Sequence, residues 1–260
     1  MIYTDTQIEQ YLARIEYKGD LALNLSTLRS LQLAHLTHIP YENLDILRSV
    51  PLSLQAEDLF EKIILRRRGG YCFELNGLYS NLLKSLGFTV TNFLGRFIFE
   101  EGIQKRTHRV LKVEAEEGSF ICDVGIRRES TRTPLLFCAG KIQHDGMNEY
   151  KLEEDPFYGW VLWQREENKS WKRIYGFTEE PQLDMDYVVP SFYSEKHPNS
   201  QFTKGYRVSI FKEDCQIGLV DHRLQIYRNA HIEEDTELNE TEIDLVLAKI
   251  FGIFDDTSAR

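Results

Sequence analysis

The chain has 260 residues, a formal net charge of -10 at pH 7, and 28% charged against 42% hydrophobic residues. That length allows two or three cooperating subdomains around a large core, and the composition excludes a disordered, collagen-like or membrane-embedded chain. The acidic balance excludes nucleic acid as the default partner, since phosphate backbones are bound mainly by Lys and Arg; the local basic clusters Arg66-Arg67-Arg68 and Arg127-Arg128 read as solvated faces.

In chain order, the start Met1-Ile2-Tyr3-Thr4-Asp5 lacks the basic and apolar regions of a secretory signal. No run approaches the roughly 18 apolar residues of a membrane span, so a cytoplasmic protein with no membrane partner is expected. Residues 5 to 85 read as mainly helical, with Ile8, Tyr11, Leu12 and Ile15, then Leu25, Leu28 and Leu31, at helical spacing. A further helix starts near Cys72, presents Leu75, Leu78, Tyr79, Leu82, Leu83 and Leu86 on one face, and stops at Gly87. From 88 to about 193 the pattern turns to β-branched and aromatic segments, as at 88–99, 108–113 and 120–124, with turns at Glu100-Glu101-Gly102 and Glu116-Glu117-Gly118-Ser119. Strands follow at 206–211, 216–220 and 223–227, and a final helix is capped by Asn239 with Glu242 and closed by Gly252. The order is helices, then sheet, then a small α/β end piece.

The segment Arg68-Gly69-Gly70-Tyr71-Cys72-Phe73-Glu74-Leu75-Asn76 puts a cysteine at the start of a helix, behind two glycines. Unpaired N–H groups and the helix dipole stabilise a thiolate there, which predicts a thiol pKa below its ordinary value. Downstream, His108 opens one predicted strand and Asp123 ends the next, with a hairpin-sized turn between them. Adjacent antiparallel strands would set the two opposite each other at about 5 Å, so that Asp123 fixes the imidazole tautomer and leaves the other nitrogen for the thiol. His35, His38, His144, His197 and His231 have no comparable partner, His222 beside Asp221 is a weak competitor, and Cys122 points to the opposite strand face from Asp123. The four cysteines (Cys72, Cys122, Cys138, Cys215) read as free thiols. No His/Cys/Asp/Glu cluster has the spacing of a metal site.

Several blocks resemble the arylamine N-acetyltransferases: Ile39-Pro40-Tyr41-Glu42-Asn43-Leu44-Asp45, the cysteine segment, Arg106-Thr107-His108-Arg109, Cys122-Asp123-Val124-Gly125, Asn148-Glu149-Tyr150, Ser191-Phe192-Tyr193-Ser194, and His197-Pro198-Asn199-Ser200-Gln201-Phe202. The resemblance covers nearly the whole chain, and the cysteine block is its most specific part. It implies an α+β fold with a cysteine-protease/transglutaminase-like catalytic core: a helical bundle (1–87) carrying Cys72, a β-barrel (88–195) carrying His108 and Asp123, and an α/β lid (196–260). It also implies a ping-pong reaction in which acetyl-coenzyme A acetylates Cys72 and an aromatic amine, hydroxylamine or hydrazine takes the acetyl group, with xenobiotic detoxification as a plausible role. By analogy the backbone N–H groups of Cys72 and Thr107 hold the oxyanion, and Tyr41 and Phe202 line the acceptor pocket. After the aspartate the family commonly continues Val-Gly-Phe-Gly, where this chain has Val124-Gly125-Ile126-Arg127-Arg128. Ile126 then replaces an aromatic wall residue, and Gly125, Arg127 and Arg128 are the expected coenzyme A contacts, the arginines meeting its phosphates.

The order Cys, His, Asp equally suits a transglutaminase-like cysteine hydrolase or amidase, with water as the acceptor. A ligand-binding relic with a disabled site is disfavoured, because all three triad residue types are present.

Overall fold

The computed structural model describes residues 2–98, 102–228 and 231–254. Thr4 caps α1 (Asp5–Arg14) by accepting the Gln7 N–H, while the Gln7 side chain accepts from the Thr4 N–H, so two donors without helical partners are satisfied together. Asn24 caps α2 (Leu25–His38) through Thr27. Two short helices follow, α3 (Leu44–Leu47) and α4 (Ala56–Phe60), the second running into a π turn at Glu61–Leu65. Next comes α5 (Cys72–Ser85), in which every residue from 72 to 83 is buried. It is therefore not the one-faced helix that its leucine spacing predicts; the polar Glu74, Asn76, Ser80 and Asn81 are interior too. It ends as expected, with Gly87 at φ 103°, a conformation open to glycine without steric cost.

Eight strands come next: β1 (Thr89–Phe97), β2 (His108–Ala115), β3 (Gly118–Cys122), β4 (Leu135–Leu136), β5 (Gln143–His144), β6 (Glu149–Asp155), β7 (Gly159–Arg165) and β8 (Lys172–Phe177). They form one antiparallel sheet in the order β4-β3-β2-β1-β8-β7-β6-β5. Its two edge strands are joined by a side chain, for the Gln143 carboxamide accepts from the Leu136 N–H (2.7 Å) and donates to the Leu136 carbonyl (3.0 Å). That amide imitates a strand pairing and nearly closes the sheet into a barrel, leaving little unpaired edge. Strand β2 is buried on both faces: Val110 joins the barrel interior with Ile121, Leu162 and Tyr175, while Leu111 and Val113 pack on the helices with Cys122.

The β reading of 88–193 fails at its end, because a 3-10 turn (Asp184–Tyr187) leads into α6 (Val188–Lys196). Val188 and Val189 are exposed there, so their branching reflects no sheet, and Pro190 sits in the first turn, where its missing N–H costs nothing. Glu100 and Glu101, where a hairpin turn is predicted, lie outside the described residues. After a 3-10 turn at Gln201–Thr203, a second sheet is built from β9 (Arg207–Phe211), β10 (Gln216–Val220), β11 (Arg223–Arg228) and β12 (His231–Glu237). The sequence pattern misses β12, an exposed edge rich in carboxylates without apolar alternation. The closing helix α7 (Glu240–Lys249) has the expected Asn239/Glu242 capping box and buries Ile243 and Leu247 against Val208, Ile210 and Leu219.

A chain of buried charges joins the helical segments. Arg68 bonds Glu42 and Asp45 at 2.8 Å each, and Lys62 bonds Asp45 and Glu74 at 2.7 Å each. Arg68 therefore does not lie on a solvated face, although Arg66 and Arg67 are exposed. Burial pushes the Glu74 carboxyl up, and Lys62 opposes that shift. Lys62→Met would leave the Glu74 carboxylate buried without its cation, a loss of about 3 kcal/mol or more. The expected readout is a clearly lower urea midpoint with the slope unchanged; an unaltered midpoint would mean that Glu74 takes up a proton at no cost.

Candidate active site

Cys72 is the first residue of α5, and the loop before it is clamped by backbone. Tyr41 pairs with both Gly70 and Ser209 of β9; the Glu42 N–H donates to the Gly70 carbonyl at 2.9 Å, and Tyr41 and Ser209 exchange two bonds of 2.9 Å. A Cβ on Gly69 would stand 2.1 Å from the Pro40 carbonyl oxygen, so that position admits only glycine. Glu74 accepts the Tyr71 N–H at 3.1 Å and so secures the first turn of α5. Asn43 ties in the opposite wall, donating to the carbonyls of Phe202 and Gly205 and accepting from the Arg207 N–H.

His108 and Asp123 meet as expected: the His108 Nε2–Asp123 Oδ2 distance is 2.6 Å, and both residues are buried. The route differs from direct cross-strand opposition. Cys122 pairs with Leu111, which sets His108 and Asp123 two positions out of register and joins them as a diagonal same-face pair. The His108 ring lies between Phe97 and Tyr175, with centroids at 4.9 and 5.0 Å, and its Nδ1 has no hydrogen-bond partner among the described residues. The Cys72 thiol donates to the carbonyl of Thr107, the residue before His108, at 3.4 Å. Thiol and imidazole thus share one peptide.

Asn76, one turn beyond Cys72 on α5, locks this arrangement. Its amide donates to Asp123 Oδ1 (2.8 Å) and the Arg109 carbonyl (2.7 Å), and its oxygen accepts from the Val124 N–H (2.9 Å). The second bond on Asp123 Oδ1 comes from the Gly125 N–H at 2.9 Å. Asn76 stands within the cysteine block without an assigned role; its i+4 spacing from Cys72 is the signal available in the sequence. Contrary to what its position at a helix start predicts, the Cys72 thiol is raised and not lowered. Burial raises it, Asp123 raises it further, and the N–H groups of Phe73 and Arg109 only partly oppose them. With the thiol 1% exposed, desolvation outweighs the helix dipole.

The remaining histidines do not compete. His222 pairs with Glu240, while Asp221 pairs with Arg207. His35 is fully buried, with Nδ1 2.8 Å from the Tyr11 hydroxyl, and burial with the Arg14 charge lowers its pKa to about 3. Among the described residues no group of three or more metal-ligating side chains occurs, and no helix is long and apolar enough to cross a membrane.

A cleft of about 170 Å³ adjoins the triad. Tyr41, Phe97, Ile126 and Phe202 give it apolar walls, and Gly125, Arg127, Lys172, Arg173 and Arg207 also line it. All the expected pocket residues converge there except Arg128. That guanidinium lies over the Tyr227 ring at 4.4 Å and 3.8 Å from Glu166, outside the cleft. Phe97, Lys172, Arg173 and Arg207 are missed from sequence because each belongs to a strand or its end and to none of the recognisable blocks. Gly125 has a second role: a Cβ there would come within 2.8 Å of Cys72 Cα.

Residues 24–258 match the family model described as N-acetyltransferase. The arylamine N-acetyltransferase of Escherichia coli K12 is 34% identical over 250 residues, covering 95% of this chain and 88% of that protein. The solved arylamine N-acetyltransferase of Salmonella typhimurium superposes with a TM-score of 0.91 at 31% identity, over 96% of this chain and 92% of its own. That of Mycobacterium marinum, solved in complex with CoA, gives 0.89 at 33% identity, over 95% and 92%.

Two outcomes are expected. Gly125→Ala pushes the Asp123 loop off α5 and slows alkylation of Cys72 by iodoacetamide about 100-fold, the cost of an ångström-scale misplacement, with the circular dichroism spectrum unchanged. His35 binds a proton in the unfolded chain below its ordinary pKa of about 6.5 but in the fold only near 3, so stability falls as pH drops through that window. His35→Gln should flatten the urea midpoint between pH 6.5 and 4 relative to the parent.

Proposed function

Because the chain belongs to the arylamine N-acetyltransferase family, we propose that Cys72, His108 and Asp123 carry an acetyl group from acetyl-coenzyme A to an aromatic amine, hydroxylamine or hydrazine in a ping-pong cycle. The observation that carries this reading is an imidazole held by Asp123 at one nitrogen and unpartnered at the other, beside a buried thiol at the head of a helix.

With His108 Nε2–H donating to Asp123, Nδ1 keeps its lone pair and is the base. It takes the Cys72 proton, and the buried carboxylate stabilises the resulting imidazolium. The raised thiol pKa means that the proton leaves only to this acceptor, so thiolate and imidazolium form as a pair. The thiolate attacks the donor thioester carbonyl, the N–H groups of Cys72 and Thr107 hold the oxyanion, and the carbon–sulfur bond to coenzyme A breaks as His108 returns the proton to the departing thiolate. The acetyl group then rests on Cys72. An aromatic amine in the cleft attacks it, His108 takes the amine proton, and the Cys72 thiolate leaves and is reprotonated. The apolar walls of Tyr41, Phe97, Ile126 and Phe202 favour an aromatic acceptor over water, which supports transfer rather than the hydrolase reading. Arg127 is suited to a donor phosphate, and Gly125 to close backbone approach. Cytoplasmic residence and a part in clearing foreign amines accord with this chemistry.

Mixing the protein with acetyl-coenzyme A alone should release one equivalent of coenzyme A and add one acetyl mass to Cys72, with sustained release only when an aromatic amine is added. Cys72→Ala should abolish both, and Asp123→Asn should slow turnover on the order of 10,000-fold by presenting the wrong tautomer. Steady release without amine would instead identify a hydrolase.

A further inference from the structure

The residue before Cys72 takes no part in that cycle, yet Tyr71 is fully buried and is held at both ends. Its N–H donates to Glu74 at 3.1 Å, and its hydroxyl lies 2.5 Å from the hydroxyl of Ser191 on α6. Between those anchors the Tyr71 ring meets Phe202 edge-on, at 5.6 Å between centroids and 69° between planes, and Phe73 at 5.6 Å and 81°. Burial, with the neighbouring Cys72 adding to it, pushes the Tyr71 hydroxyl far above its ordinary pKa, so it keeps its proton and is no acid or base of the reaction. What it can do is hold a ring still.

Phe202 is the wall residue of the cleft that this ring touches. Its backbone is fixed by the 3-10 turn: the Phe202 N–H donates to Ser200 Oγ at 3.2 Å, and its carbonyl accepts from the Asn43 amide at 2.8 Å. Those bonds leave the side-chain torsions free, so the direction of the half-buried ring is set by what packs on it. The same turn is tied back to α6, where the Ser194 carbonyl accepts the Ser200 hydroxyl at 2.6 Å. Ser191, Ser194 and Ser200 are all buried, and a buried hydroxyl is retained where it has a partner. The contacts thus close a circuit from Tyr71 through α6 and the turn to Phe202 and back. We infer that Tyr71 and Ser191 are positioning residues for the acceptor: their hydroxyl pair fixes the Tyr71 ring, and that ring fixes Phe202 relative to the adjacent Cys72, which carries the acetyl group. This rests on the transferase reading and adds to it the origin of the preference for a flat aromatic amine.

The test separates the two halves of the cycle in Ser191→Ala, Tyr71→Phe and the double variant, each acetylated first by acetyl-coenzyme A and then mixed with aniline or with hydrazine, which has no ring. Aniline should show a KM about fivefold above the parent's in each variant, the worth of one aromatic contact or one hydrogen bond, with kcat, the rate of the coenzyme A burst and the hydrazine reaction unchanged. The double variant should be no worse than either single one, since all three lack the same bond. An unchanged KM for aniline, an equal loss with hydrazine, or losses that multiply in the double variant overturns the inference. Failure of acetyl-coenzyme A to acetylate the parent overturns the transferase reading and the inference with it.

Discussion

The burial of charge at the head of α5 is the constraint on which the rest depends. Three carboxylates (Glu42, Asp45, Glu74) and two cations (Lys62, Arg68) leave water together, and each is retained only because the others are in place. Glu42 and Asp45 come from the segment that pairs with Gly70, Arg68 from the strand of loop before the glycines, and Glu74 from the first turn beyond the cysteine. The network thus closes around the peptide carrying Cys72 and sets its direction. It also explains why α5 is buried on every side: its polar positions face charges and amides rather than solvent.

The second constraint is the contact between that helix and the barrel. Asn76 and Gly125 decide how closely the two may approach, the first by three hydrogen bonds and the second by lacking a side chain. Helix position is thereby converted into triad position, because Asp123 is gripped from α5 and from its own loop while it holds His108. Burial has an electrostatic consequence as well. A thiol removed from water resists ionisation, so a helix start by itself does not make Cys72 a standing thiolate.

Much of this was legible in the chain. The cysteine behind two glycines, the histidine opening one strand and the aspartate ending the next led to three residues that the fold brings together. The Asn239/Glu242 cap and the Gly87 stop placed two helix ends, because a cap is a local agreement between a side chain and its own backbone. Local evidence failed where neighbours from elsewhere decide. The apolar stripe of α5 could not say that its other faces are also covered. Val188 and Val189 favoured a strand that tertiary contacts do not build. Arg68 and Arg128 looked alike in their clusters, yet one became the hub of a buried network and the other a lid over Tyr227.

By itself, then, the sequence determined the family, the order of helices, sheet and α/β end piece, and the residue types of the candidate site, since these rest on motifs and on periodicities spanning a few residues. Tertiary structure alone decided which nitrogen of His108 is free, how Asn76 and Gly125 seat the triad, and which of the scattered cations reach the cleft. Those outcomes join side chains tens to more than a hundred residues apart, and their distances and desolvation exist only once the chain has closed on itself.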